Sequence, residues 1–172
     1  QEGPLKMAEV IRRISEKTKG KAVLVTDVGQ HQMVASRYYQ FDDTLSNVTS
    51  GGLGTMGFCL PAAMGAKVGR PDRQVIGVIG DGGFQMTIQE LGTISQNQID
   101  IKILILNNNF LGMVRQWQEL FFDRRYSFTE LTNPDFQKIC EGYGVAASKV
   151  TKREDLETSI DNWLNSSGPS LL

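Results

Sequence analysis

Along the first twenty residues Leu5, Val10, Ile11 and Ile14 recur at helical spacing, which predicts an amphipathic helix ending near Lys19-Gly20. Residues 22–27 then form a short continuous apolar, β-branched run, the pattern of a strand covered on both faces. A glycine-rich stretch over 50–57 leads into 58–68, where Leu60, Ala63 and Ala66 predict a buried helix. The alternation then repeats. Residues 74–79 read as a second buried strand, 84–96 as a helix through Met86, Ile88, Leu91 and Ile94, and 101–106 as a third strand. Asn133-Pro134 has the form of an N-cap followed by proline at the first helical position, so a helix is expected over 134–143. A fourth strand is expected at 145–150, a helix at 155–164, and Leu171-Leu172 as the start of another strand. Residues 117–131 mix Phe121, Phe122, Arg124, Arg125, Tyr126 and Phe128 without a clear period and are read as a lid.

Strands alternating with helices predict the α/β class: a doubly wound parallel sheet with helices on both faces, since neighbouring parallel strands need a crossover between them. At 172 residues and 40% hydrophobic content the chain can build one core without staples, and residues 1–172 are read as one domain. It opens without methionine at Gln1-Glu2-Gly3-Pro4 and stops at Gly168-Pro169-Ser170-Leu171-Leu172, a turn entering an apolar strand. An excised piece of a larger protein is expected.

Eighteen basic and nineteen acidic residues are interspersed, giving net charge −1, so neither nucleic acid nor an anionic membrane is indicated as a partner. Cys59 and Cys140 match no metal-ligand spacing and read as buried small hydrophobes in a reducing cytoplasm. No run of about 18 apolar residues and no signal or transit peptide is seen, so a soluble protein is expected.

In an open α/β sheet, ligands sit beyond the carboxyl ends of the strands. Two polar clusters fall there: Gly80-Asp81-Gly82-Gly83 after the second buried strand, and Asn107-Asn108-Asn109 after the third. A carboxylate, an amide oxygen and a backbone carbonyl are hard ligands suited to Mg²⁺, which completes its octahedron with phosphate oxygens and water. Glycines at 80, 82 and 83 let the backbone approach a phosphate, and the free N–H groups opening the next helix favour an anion. The plain alternative is a tight strand-to-helix turn capped by Asp81 and a separate asparagine loop. For either cluster alone that alternative is the better reading; for both at strand ends one helix apart, the ligand-site reading needs no extra assumption.

Gly80-Asp81-Gly82, the 24 residues 83–106 and then Asn107-Asn108 resemble the signature of thiamine-diphosphate enzymes. That resemblance implies Mg²⁺ ligation by Asp81, Asn108 and the main-chain carbonyl of Phe110. Many relatives carry serine or a similar side chain where this chain has Gly83, which can offer phosphate only its N–H. Three further motifs, Val28-Gly29-Gln30-His31-Gln32-Met33, Gly51-Gly52-Leu53-Gly54-Thr55-Met56-Gly57 and Leu111-Gly112-Met113-Val114-Arg115-Gln116-Trp117, resemble the catalytic subunits of acetolactate synthases.

By that match Gln30 and His31 lie near the diphosphate, Met56 supports the bent cofactor, and Gly54 and Met113 line its rings. Val28, Gly29, Leu111, Gly112 and Val114 join the cofactor set, and Trp117 with Met113 shapes the 2-keto-acid pocket. The residues alone carry plainer readings: His31 as a hydrogen-bonded surface group, Met56, Met113 and Trp117 as core, Arg124 and Arg125 as a solvated pair.

The implied activity decarboxylates pyruvate and condenses the remaining unit with a second 2-keto acid, pyruvate or 2-ketobutyrate, in branched-chain amino-acid biosynthesis. The activating glutamate belongs to a separate N-terminal domain in that family, and FAD sits mostly in a middle domain. The isolated chain is therefore expected to be inactive and to contain no catalytic residue. A homodimer or higher oligomer, a regulatory small subunit, and a bacterial cytoplasm or plant plastid are implied alongside. Another thiamine-dependent decarboxylase or oxidase, and a non-catalytic binding module, remain open. Gly52-Leu53-Gly54-Thr55-Met56-Gly57 also fits the dinucleotide fingerprint, but residues 46–50 before it are polar and too short for the buried first strand that fingerprint needs. No Gly-x-x-x-x-Gly-Lys-Ser/Thr loop is present, which disfavours a P-loop NTPase.

Overall fold

The computed structural model describes residues 3–172, so Gln1 and Glu2 of the amino-terminal reading lie outside the described residues. Its six strands are β1 (Val23–Thr26), β2 (Asn47–Val48), β3 (Val75–Gly80), β4 (Lys102–Leu106), β5 (Ala146–Ala147) and β6 (Ser170–Leu171). All pair in parallel, in the spatial order β2-β1-β3-β4-β6-β5. Eight α-helices connect and cover them: α1 (Met7–Thr18), α2 (Gln30–Tyr38), α3 (Cys59–Gly69), α4 (Asp81–Met86), α5 (Glu90–Gln96), α6 (Gly112–Phe121), α7 (Phe136–Gly142) and α8 (Leu156–Leu164).

The continuous apolar runs hide a period of two that feeds two cores. Val23, Val25, Val75, Ile79 and Ile103 point to one face, where Cys59, Leu60, Phe84, Leu91, Ile94 and Phe136 cover them. Leu24, Ile76, Val78 and Leu104 point to the other, under Ile11 and Ile14 of α1 and Leu156, Ile160 and Trp163 of α8. Each of these large side chains contributes about 1.5–3 kcal/mol by leaving water.

From β1 the chain moves outward to β2, then jumps back across β1 to β3 and proceeds in the opposite direction to β4. The winding therefore reverses between β1 and β3. Beyond the carboxyl ends of those two strands lies the crevice where such folds take ligands.

Several elements differ from expectation. The helix expected over 84–96 is two helices, because Thr87 leaves helical geometry (φ −134°, ψ 27°) while its Oγ1 donates to the Gly57 carbonyl at 3.0 Å. Its first turn also begins earlier, at Asp81. The strand expected at 145–150 has two residues, since it is the sheet's outer edge and pairs only with the equally short β6. The N-cap of α7 is Asp135, whose side chain accepts the N–H groups of Gln137 and Lys138, so Asn133 and Pro134 lie outside that helix.

Two helices went unread. α2 buries only His31 and Ala35, leaving no apolar stripe to detect. α6 does have such a stripe, Met113, Val114, Trp117, Leu120 and Phe121, but buries none of it. Only the first third of the expected lid, 117–121, is thus helix. Its remainder is pinned by an antiparallel bridge between Phe110 and Glu130, with Leu111 N–H donating to Thr129 O and Leu131 N–H to Asn109 O, both at 2.8 Å. Arg115 lies 4.2 Å from the ring centroids of both Phe110 and Tyr126, holding this segment to α6. The dipeptide β2 precedes the glycine-rich stretch at the sheet's other edge, far too short for a dinucleotide-binding first strand.

Candidate functional site

β3 and β4 run in register from Ile76↔Lys102 to Gly80↔Leu106, so the residues that follow, Asp81 and Asn107, emerge side by side. With the end of β1 they frame a crevice of about 200 Å³. Its lining gathers 28–31 from β1 and α2, Gly54 and Met56 from the glycine-rich loop, 80–83 from the β3–α4 turn, and Asn108, 110–114 and Trp117 from the β4–α6 connection. The cofactor and metal residues singled out from sequence thus border one space, joined by Met7 and Leu106, while Asn107 and Asn109 of the asparagine cluster do not line it. Two larger depressions, about 660 and 600 Å³, lie on the outer face of α1 among mixed charges such as Arg12 and Glu16, away from the strand ends.

Close backbone approach shapes the crevice floor. Gly29 has φ 149°, and a Cβ there would stand 2.8 Å from the His31 ring. A Cβ on Gly83 would run into Oδ2 of Asp27. Neither position admits a side chain without displacement.

Asp27 was not read from the sequence as a site residue, although a carboxylate closing an apolar strand was a visible signal. It is fully buried; its Oδ1 accepts the Cys59 N–H at 3.3 Å, and its Oδ2 has no partner. Burial raises its carboxyl above the ordinary aspartate value, against the opposing pull of backbone N–H groups at Gly57, Cys59, Phe58 and Val28. Those contacts tie the Gly54–Met56 loop and the start of α3 to the end of β1.

His31 is buried, and burial lowers its imidazole to about 4, so it is neutral at neutral pH. Its Nε2 has no protein partner. A buried nitrogen left unsatisfied costs free energy unless a ligand completes it. The surface reading of His31 is therefore wrong, and its unpartnered Nε2 can meet an anion only as an N–H donor.

The oxygen-rich side is held by local turns. Asn107 Oδ1 accepts the Asn109 N–H and Asn108 Oδ1 the Phe110 N–H, each at 3.1 Å. Because the bonds of the Phe110–Glu130 bridge are made by the flanking residues, Phe110 turns its own N–H and C=O away from the 129–131 segment. Asp81, 1% exposed, accepts from Asn133 Nδ2 at 2.6 Å through Oδ2. Asn133, read from sequence as a cap, is the second site residue that pattern alone missed. Gln30 Nε2 donates to Gln116 Oε1 at 2.9 Å, bracing the crevice from α2 to α6.

Among the described residues no three His, Cys, Asp or Glu side chains gather into a cation site. A metal here would have to use one carboxylate with amide and carbonyl oxygens, the donor chemistry that Asp81, Asn108 and Phe110 supply and that Mg²⁺ accepts. The orphaned His31 Nε2 and the glycine turns fit a diphosphate beside it. Cys59 and Cys140 are free and buried, and burial pushes both thiols up, Cys59 well above its usual value and Cys140 to about 11, which makes them packing groups. No helix among the described residues is long and apolar enough to cross a membrane.

Comparison with known proteins identifies the family. Residues 27–172 match the family model described as "Thiamine pyrophosphate enzyme, C-terminal TPP binding domain". The chain is similar to the acetolactate synthase isozyme 2 large subunit of Escherichia coli (strain K12), 47% identical over 164 residues, covering 95% of the chain and 30% of that protein. It is similar to the mitochondrial acetolactate synthase of Schizosaccharomyces pombe, 48% identical over 171 residues, covering 98% of the chain and 26% of that protein. The chloroplastic acetolactate synthase 2 of Nicotiana tabacum is 46% identical over 170 residues, 94% of the chain and 26% of that protein. The chain therefore spans between a quarter and a third of the length of these relatives.

Proposed function

The chain belongs to the thiamine pyrophosphate enzymes as their C-terminal TPP-binding domain, and within that family we propose that it serves an acetolactate synthase, holding the diphosphate of the cofactor through Mg²⁺. The observation that carries this reading is the convergence of Asp81, Asn108 and Phe110 with a buried, unpartnered His31 Nε2 around one crevice at the reversal of the sheet.

In this reading Asp81, the Asn108 amide oxygen and the Phe110 carbonyl hold Mg²⁺. The N–H groups of Gly82 and Gly83, with 28–31, bind the diphosphate. Met56 props the cofactor between its rings, Gly54, Leu111, Gly112, Met113 and Val114 line them, and Trp117 with Met113 shapes the 2-keto-acid pocket. Thiamine diphosphate, when bound, supplies the carbon nucleophile that lets a 2-keto acid lose CO₂; the protein orients it and tunes its surroundings. A phosphate oxygen only accepts, so His31 bonds it as a donor, through an Nε2–H, and moves no proton.

The domain is one of three in the whole enzyme. The glutamate that activates the cofactor and most of the FAD site belong to the others, so this chain alone binds without turnover. Trp117, Leu120, Phe121 and Phe128 are 55%, 63%, 73% and 99% exposed, and so much exposed apolar area fits coverage by those other domains in a homo-oligomer, with a regulatory subunit as a further partner. Two free cysteines fit a reducing compartment such as the cytoplasm.

Titrating thiamine diphosphate with MgCl₂ into the chain tests the binding half of the proposal: one cofactor per chain, released by EDTA, is expected. The activity half is tested by assaying the full-length polypeptide containing this chain for acetolactate formation from pyruvate. A full-length protein that decarboxylates pyruvate only to acetaldehyde overturns it.

A further inference from the structure

Asn133 sits between the Glu130 bridge and α7, released from capping because Asp135 fills that role. Its Nδ2 lies 2.6 Å from Asp81 Oδ2, 2.9 Å from Asn109 Oδ1 and 3.1 Å from Asn107 Oδ1, while its Oδ1 accepts from Gln85 Nε2 at 2.9 Å. The amide orientation follows from that set: turned over, it would present oxygen to a carboxylate and two amide oxygens. Two hydrogens serve three acceptors, and the charged one, at the shortest distance, takes the stronger bond. One side chain therefore joins the turn after β3 to the turn after β4.

Its effect falls on how Asp81 can bind a cation. An amide N–H on Oδ2 takes one of that oxygen's two lone pairs and fixes the carboxylate's orientation, which biases Asp81 towards meeting a cation through its other oxygen. Mg²⁺ requires a near-ideal octahedron with short bonds, whereas Ca²⁺ takes more ligands and accepts both oxygens of one carboxylate. Groups that hydrogen-bond a ligating carboxylate set its orientation and change metal affinity when removed.

We propose that Asn133 is a positioning residue for the metal site, which holds Asp81 to one-oxygen binding and so favours a small octahedral cation over calcium. This rests on the reading above that Asp81 ligates Mg²⁺.

The test is calorimetric titration of MgCl₂ and of CaCl₂ into the chain with thiamine diphosphate present, for wild type, Asn133→Ala and Asp135→Ala. Asn133→Ala is expected to bind Mg²⁺ about 10–100-fold more weakly and to lose much of the preference for Mg²⁺ over Ca²⁺. Asp135→Ala loosens the same segment through the α7 cap without touching Asp81, and is expected to leave both quantities unchanged. Wild-type affinity and preference in Asn133→Ala overturn the inference, as does an equal loss in Asp135→Ala. A wild-type chain that binds no Mg²⁺ removes the metal assignment itself. The Asn133 contact is then judged from its side-chain amide resonances in EDTA: slowed exchange that Asp81→Ala abolishes supports it, and free exchange with water overturns it.

Discussion

The ends of β1, β3 and β4 and the helix α6 border the same crevice but are built in opposite ways. At the strand ends Asp27, Asp81 and His31 are buried, glycines bring backbone against side chains, and Phe84 anchors α4 in the core, edge-on to Phe136 at 5.3 Å. α6 carries its apolar stripe outward, with no residue buried. The first region spends its aromatic area on the domain's own stability; the second leaves it at the surface. The side that would grip phosphate is thus complete within this chain, and the side that would face the cofactor's rings is half-built.

That contrast predicts unequal costs for the same chemical change. Phe84→Ala removes a fully buried ring and is expected to cost about 3–5 kcal/mol, read as a lower urea midpoint. A loss below 1 kcal/mol would show that the floor is not packed as described.

His31 supplies a pH signature for the buried region alone. The unfolded chain takes up the imidazole proton below about 6.5, the folded chain only near about 4. The folded state therefore binds fewer protons between those values, and its stability falls as pH drops from 6.5 towards 4, by up to about 3 kcal/mol at 1.4 kcal/mol per pH unit. Asp27 works in the opposite sense, since a raised carboxyl stabilises most at acid pH and loses that contribution as pH rises through its folded value. Denaturant midpoints against pH should show the acid-side fall in wild type and its loss in His31→Gln. A slope that survives in His31→Gln assigns it to other groups.

Phe121→Ala, on the exposed side, is expected to change stability by no more than about 0.5 kcal/mol, despite deleting the same ring as Phe84→Ala. A cost of several kcal/mol would mean that α6 packs against its own domain in solution, ending the comparison.

The sheet was legible because β1, β3 and β4 are buried on both faces and read as unbroken apolar runs. The short edge strands β2 and β5 carry almost no such signal, and α2 hides because a histidine and an alanine are what it buries. The crevice residues were legible through glycine, aspartate and asparagine at strand ends, where backbone geometry restricts the choice. Asn133 and Asp27 were not, for a physical reason. Asn-Pro satisfies the local rule for a helix start, and only the tertiary fold brings Asn133 within 2.6 Å of Asp81, 52 positions away in the chain. Asp27 likewise gains its role from Gly57, Phe58 and Cys59, which the fold alone delivers to it.

The central claim is that Asp81 and its neighbours hold Mg²⁺ against a diphosphate, and the most direct measurement is thiamine diphosphate binding with MgCl₂ by wild type and by Asp81→Ala. The account predicts saturable binding of one cofactor per chain in wild type, abolished by EDTA, and a loss of at least about 100-fold in Asp81→Ala, the scale of removing a buried charged ligand worth roughly 3 kcal/mol. Equal binding by the two proteins would contradict it.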